Sequence, residues 1–349
     1  MMKYSILNLA PLRKEGEYKQ AIELMIELAQ KAEDWGYERY WIAEHHNAKS
    51  MGSSATSLLI DETLSKTKKI RVGSGGIMLP NHSPYIVAEQ FGTLATLYPN
   101  RVDLGLGRAP GTDMKTAAAL RRKNLDSDFE KDIKELEGYF KDTNEVHAYP
   151  AAGANVPLYI LGSSTDSAHL AAKLGLPYAF ASHFAPGMLV DAVEIYREEF
   201  QPSEYLKKPY VIVGINAYVA DSNEEAHSLA TTQTQALLNI VTSNGSPLQK
   251  PLSSDEEVWK KYGDQKLARV KPHFGPINFD PEELIGQEKE IVQRMGALTP
   301  IGTKDEVKQQ INNLKQQIKF EELMVNTYIY DKDKFFKSYQ LFSEAVKES

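Results

Sequence analysis

Four short runs in this chain hold residues whose type and spacing suit chemistry. The first is Glu44, His45, His46 and Asn47. Adjacent histidines on an extended chain point to opposite sides and so do not chelate one metal together, and neither HxH nor HExxH spacing occurs. An imidazole titrates near neutral pH and serves as a general acid, a general base or a hydrogen-bond donor. For His46 the structural role is favoured, tying down the loop with Glu44; for His45 a structural and a catalytic role stand equally open. The second run is Gly73, Ser74, Gly75 and Gly76. Glycine weakens a strand unless something approaches the backbone closely, as a flat ring against Gly75 and Gly76 would, or unless the strand bends or bulges there. The third run, Gly105 to Thr112, sets Arg108 among small residues, where a guanidinium can grip a phosphate or form a surface salt bridge. The fourth is Gly162, Ser163, Ser164 and Thr165, directly before a helix. Backbone N–H groups, hydroxyls and the positive end of a helix dipole make an anion site, although helix capping selects the same residues.

The elements that position these runs alternate between strand and helix. Lys3–Leu9 reads as a strand, followed by a helix with Ala21, Met25, Leu28, Ala32 and Trp35 on one face and Gly36 at its C-cap. Tyr37–Ala43 is the second strand. Ser53 or Ser54 is expected to cap a helix that turns Ala55, Leu58 and Leu59 inward. Ile70–Leu79 is the third strand, and Pro84 opens a helix with an apolar stripe from Val87 to Tyr98. Val102, Leu104 and Leu106 mark the fourth. Leu158–Leu161, Pro177–Ala181, Tyr210–Ala220 and Glu322–Tyr330 complete a set of eight, and helices follow them. Eight such strands in series predict an α/β fold, a (β/α)8 TIM barrel with insertions, in a single domain spanning 1–349. One insertion is expected near 111–156, holding an amphipathic helix (Phe129, Ile133, Leu136, Phe140). A mobile excursion, a candidate lid, is expected near 244–299, where Pro, Gly and charge replace steady periodicity. In such a barrel functional groups gather at the C-terminal ends of the strands, where all four runs lie. Arg108 and Ser163 end adjacent strands, so the two are placed to share one phosphate. No Walker or Rossmann spacing is present.

Composition narrows the chemistry further. The 349 residues are 42% hydrophobic and 25% charged, as in an ordinary globular chain. Forty basic and forty-seven acidic side chains leave a net charge of −7, which argues against a broad nucleic-acid or anionic-membrane surface. There is no cysteine, which excludes disulfides, thiolate metal sites, iron–sulfur clusters and a cysteine nucleophile. Neither a signal peptide nor a membrane-spanning run is visible, so a soluble, cytoplasmic protein is expected.

Taken together the four motifs resemble one family. AEHHN after the second strand, VGSGGIMLPNHSP through the third, RVDLGLGRAPGTD after the fourth and LGSSTDSAHLAAKLGLPYAFASHFAP across the fifth and sixth are similar to the bacterial-luciferase-like flavin-dependent monooxygenases, in particular their single-subunit group. The resemblance runs to LMVNTYIYD at the last strand. It implies a barrel, usually a homodimer, that receives reduced FMN as a cosubstrate from a separate NAD(P)H flavin reductase and uses O2 to oxygenate a small organic substrate. Carried over, Arg108, Gly162, Ser163 and Ser164 hold the FMN phosphate, Gly75 and Gly76 lie against the isoalloxazine, and His45 is the catalytic histidine. No metal is expected. Gly107 stands where luciferase carries a reactive cysteine, which argues against light emission and a long-chain aldehyde substrate. The resemblance also admits a deazaflavin- or FMN-dependent reductase without oxygenation, and a non-catalytic flavin-binding protein.

Overall fold

The structure, a computed structural model, describes residues 2–109, 114–120, 128–269 and 281–349. Strands β1 (Lys3–Asn8), β2 (Arg39–Ile42), β3 (Arg71–Met78), β4 (Val102–Gly107), β5 (Leu158–Gly162), β6 (Tyr178–Phe180) and β7 (Val211–Asn216) lie side by side in chain order. Two short strands, β8 (Tyr218–Val219) and β9 (Ile301–Gly302), form a separate parallel ribbon, and β10 (Glu322–Asn326) closes the barrel between β7 and β1. All eight barrel contacts are parallel, which is the α/β TIM barrel that the strand count predicts.

Around it run α1 (Tyr18–Trp35), α2 (Thr56–Lys66), α3 (Pro84–Leu97), α4 (Met114–Ala119), α5 (Phe129–Phe140), α6 (Thr165–Leu174), α7 (Leu189–Glu199), α8 (Asn223–Val241), α9 (Asp255–Arg269), α10 (Pro281–Met295), α11 (Lys304–Gln317) and α12 (Lys332–Lys347). Local chemistry sets their ends. Gly36 takes the left-handed conformation (φ 81°) that terminates α1, and Thr303 with Glu306 forms a reciprocal cap on α11. Pro84 stands in the first turn of α3. One expected start is shifted: α2 begins at Thr56 with no side-chain cap, and Leu58 points to solvent while Leu59 and Ile60 are buried. Thr56 instead donates its hydroxyl to the Ala43 carbonyl, fastening the helix start to the end of β2.

Strand faces divide the core in two. Outward-facing Val102, Leu104, Leu158 and Ile160 join the layer between barrel and helices, while Leu7, Leu9, Trp41, Tyr159, Ile212 and Met324 fill the barrel interior. Its N-terminal end is closed by charge. Arg39 donates to Glu322 (2.8 Å), Asp103 (2.7 Å) and the Tyr159 hydroxyl (2.7 Å), and all these side chains are buried. Trp41 Nε1–H and Arg71 Nε–H also donate to Asp103, and Tyr210 donates to Glu322. Burial alone would lower the Arg39 pKa, but Glu322 and Asp103 outweigh it and raise it well above its ordinary value. This floor leaves the C-terminal mouth as the opening.

The described residues of 244–299 are not without structure. They hold α9 and α10, whose Trp259, Ile285 and Val292 pack with Leu237 and Leu238 of α8 in a small core of their own. α9 alone shows no clear apolar face, whereas α10 is amphipathic, with Ile285 and Val292 on its buried side. In the region 111–156 the described residues contain α4 and α5 and no strand. Residues 110–113, which include the last three of the third run, lie outside the described residues. Among the described residues no helix is long and apolar enough to cross a membrane.

Candidate functional site

At the C-terminal mouth lies a cavity of about 760 Å3. His45, Gly75, Gly76, Arg108, Gly162, Ser163 and Ser164, drawn from β2, β3, β4 and β5 or the turns after them, all line it. The four runs singled out by residue type therefore meet in one place.

The His45 segment is held from both sides. Its backbone N–H bonds to the Ser53 carbonyl (3.0 Å). The preceding Glu44 carboxylate, 1% exposed, accepts from His46 Nε2 (2.6 Å), His82 Nε2 (2.8 Å) and the Met78 backbone N–H (3.2 Å). Burial by itself would raise the Glu44 pKa; the hydrogen bonds from His82 and His46 outweigh it and hold the carboxyl below its usual range. His46 thus has the structural part expected of it. Glu44, His46 and His82 also bring potential ligand atoms within 4.8 Å of one another. Hydrogen bonds from both imidazoles to one carboxylate account for that grouping. His45 turns the other way, as alternation along an extended chain requires, and faces the cavity.

Sequence reasoning gave no role to two histidines: His82, which supports the site from behind through Glu44, and His183. His183 follows β6 and lines the same cavity as His45. Its signal was the polar Ser182-His183 pair directly after a barrel strand, the same position that drew attention to His45. The Nδ1 atoms of His45 and His183 are both buried without a hydrogen-bond partner. Burial pushes the His45 pKa down, with Glu44 opposing, and pushes His183 down to about 4, with the His45 charge adding to the effect. Both rings are neutral at pH 7.

The glycine pair has a packing cause and a functional opportunity. A Cβ on Gly75 would stand 2.7 Å from Leu7 Cδ1, and one on Gly76 would stand 2.7 Å from the Gly105 carbonyl oxygen. The peptide bond between them is cis, and the β3–β4 register shifts between Ser74 and Ile77. The bulge reading of the second run is therefore correct, and the same two residues present bare backbone to the cavity.

The anion-suited end is built by neighbouring strands, since β4 and β5 pair from Leu104 with Leu158 to Gly107 with Leu161. Arg108 is 59% exposed, and its contact with Asp166 is long, 3.5 Å between Nη2 and Oδ2. Ser164 is the N-cap of α6 in extended conformation but makes no side-chain bond to the first turn, so capping does not consume its hydroxyl. Gly162 is needed for packing, because a Cβ there would fall on the Ser167 Oγ. That hydroxyl donates to the Ser164 carbonyl (2.6 Å) and fixes the turn. A Cβ on Gly107 would lie 2.9 Å from Met78 Sδ, so the thioether takes the space beside this glycine.

A parallel barrel whose C-terminal strand ends carry an apolar cavity, an anion-suited turn and two imidazoles is a TIM barrel with its candidate site at the usual face. The chain belongs to the luciferase-like monooxygenase family, whose pattern it matches across residues 2–320. It is 40% identical to the luciferase-like monooxygenase of Escherichia coli (strain K12) over 99% of this chain and 97% of that protein. Apo-MsnO8 superposes with a TM-score of 0.84 at 30% identity, over 100% of this chain and 99% of that one. The oxygenating constituent of 3,6-diketocamphane monooxygenase from Pseudomonas putida, in complex with FMN, has the same fold. It gives a TM-score of 0.71 at 19% identity over 99% and 98% of the two chains.

Proposed function

We propose that this protein is an FMN-dependent monooxygenase that takes reduced FMN and O2 as cosubstrates and oxygenates a small organic molecule. The observation that carries the reading is the union, in one cavity, of the Arg108–Ser163–Ser164 turn with an apolar interior faced by neutral imidazoles.

The residues present fit the cofactor. Arg108 offers a planar pair of donors to a phosphate; Ser163, Ser164 and the first-turn N–H groups of α6 add hydrogen bonds and the helix dipole. Gly75, Gly76 and Gly162 leave the wall bare where a flat ring needs room. When bound, reduced FMN supplies the activation of O2. The chain binds and orients the two reactants and excludes water with Trp41, Phe180 and Met324. His45, neutral and held by the Glu44 segment, offers a hydrogen bond or a proton at the reacting end. No described residue of 244–299 lines the cavity, so the lid role expected of that stretch is not part of this proposal.

The reading includes a separate NAD(P)H flavin reductase as the source of reduced FMN, a homodimeric assembly, a cytoplasmic location and no metal. The FMN complex of the Pseudomonas putida relative supports the choice of flavin. The test is equilibrium titration with FMN and, in parallel, a deazaflavin, followed by mixing with reduced FMN without oxygen and then admitting 18O2. Tight FMN binding that depends on Arg108 is expected. Preference for the deazaflavin, or FMN binding indifferent to Arg108, would overturn it.

A further inference from the structure

A second imidazole in the cavity, His183, is given no chemical role in the reading above. His183 follows the C-terminal end of β6, and the next two strands round the barrel, β7 and β10, hold it. Asn216 of β7 donates to the His183 carbonyl (2.6 Å), and Asn326 of β10 donates to Asn216 (3.0 Å). The ring lies on Gly214 of β7, where a Cβ would stand 2.9 Å from His183 Nδ1. Phe184 meets it edge to face, with 4.8 Å between ring centroids. Its position is therefore set by packing on three sides.

The hydrogen-bond inventory fixes how the ring is presented. Nδ1 of His183, like Nδ1 of His45, is buried and unpartnered, and both residues line the cavity. A buried N–H without an acceptor is the rarer and costlier defect than a bare acceptor nitrogen. The proton of each neutral ring is accordingly on Nε2, and two N–H donors face one space. Away from the Arg108 end, no described residue lining this cavity is an Asp, Glu, Lys or Arg. The remaining wall is apolar, with Leu7, Leu9, Trp41, Ile212 and Met324 among its residues.

We propose that His183 is a specificity-determining residue which, together with His45, selects a neutral, largely apolar substrate by donating a hydrogen bond to its acceptor oxygen. The proposal rests on the cavity being the substrate site, as the proposed function has it. A cationic substrate finds no carboxylate on these walls, and a pure hydrocarbon would cover two N–H donors without satisfying them, so both are discriminated against.

The test uses the full chain and a matched pair of probes, 2-octanone and 2-methyl-1-octene, in which a methylene replaces the carbonyl oxygen, with octylammonium as the charged control. In 15N-labelled protein the imidazole signals of His45 and His183 should report the Nε2–H tautomer and move on addition of the ketone but not of the alkene. Wild type should bind the ketone about five- to tenfold more tightly than the alkene, the worth of one buried hydrogen bond. His183→Leu should abolish that preference without weakening the alkene, and His183→Gln, which keeps a donor, should restore most of it. Unaltered ketone preference in His183→Leu, an Nδ1–H tautomer, or tighter binding of octylammonium would overturn the proposal. FMN affinity, measured on the same variants, should not move. A failure of FMN binding would count against the proposed function instead, and the probe preferences are read without flavin.

Discussion

Arg108 and Asp166 join the end of β4 to the first turn of α6 through one exposed contact of 3.5 Å. An ion pair that long, between side chains that exposed, contributes little to stability. It leaves the guanidinium with donors to spare beside a helix N-terminus whose cap residue makes no side-chain bond. A phosphate entering the turn takes over those donors.

Arg108→Ala is accordingly expected to weaken FMN binding by roughly 1.5–3 kcal/mol, the range for a hydrogen bond to a charged group. Arg108→Lys should recover only part of it, since a point charge lacks the planar fork. Quenching of FMN fluorescence in an equilibrium titration measures both, and equal affinities across the three proteins would remove the contact from the proposal.

Asp166 presents a like charge to the same phosphate. Asp166→Asn should therefore tighten FMN binding by roughly twofold to fivefold, the scale of an exposed ion pair, and the gain should shrink as salt is added. A loss of affinity on removing this carboxylate would show that Asp166 helps the site rather than competes with it.

The buried imidazole of His183 makes stability depend on pH in a defined sense. Burial holds its pKa at about 4 against an ordinary 6.5, so the unfolded chain binds the proton more readily. The contribution is complete above pH 6.5 and is lost as pH falls from 6.5 toward 4. Melting temperature followed over that interval should drop less steeply in His183→Gln than in wild type; parallel curves would contradict the buried, neutral state.

Glu44 titrates lower, and in its case the folded carboxyl is the more acidic. Its contribution is present above the usual carboxylate range and is lost as pH falls through the depressed folded value. Glu44→Gln should cost roughly 1–3 kcal/mol at neutral pH, because His46 and His82 keep their N–H groups and lose a charged acceptor. It should also flatten the acid limb of the stability profile. Urea unfolding at several pH values reads out both effects.

The charged floor of the barrel gives the largest expected change. Asp103→Asn leaves Arg39 buried with half its counter-charge, and breaking such a pair typically costs about 3–5 kcal/mol. Trp41 donates to the same carboxylate, so its fluorescence should shift in the folded variant. A variant as stable as wild type would mean that water or Glu322 takes over the role.

The chain order of local patterns determined the barrel. Each strand is short, apolar on both faces and followed by a helix with a readable cap or stripe, and sequential parallel strands pair with their neighbours. That is why Arg108 and Ser163 could be set side by side before any coordinates. Only the tertiary structure decided what depends on contacts distant in the chain. Leu58 was assigned inward by its spacing, yet packing turned the face of α2 so that it points out. Helix α9 was missed because its apolar residues complete a core only against α10 and α8. Glu44 meets His82 across 38 residues, and His183 meets the cavity of His45 across the barrel mouth. Arg39, Asp103 and Glu322 look out of place in buried strands until closure of the barrel brings them together. Periodicity and capping are properties of neighbouring residues and are written in sequence. Pairing of buried charge and the facing of two imidazoles are properties of closure, and they exist only once β10 lies against β1.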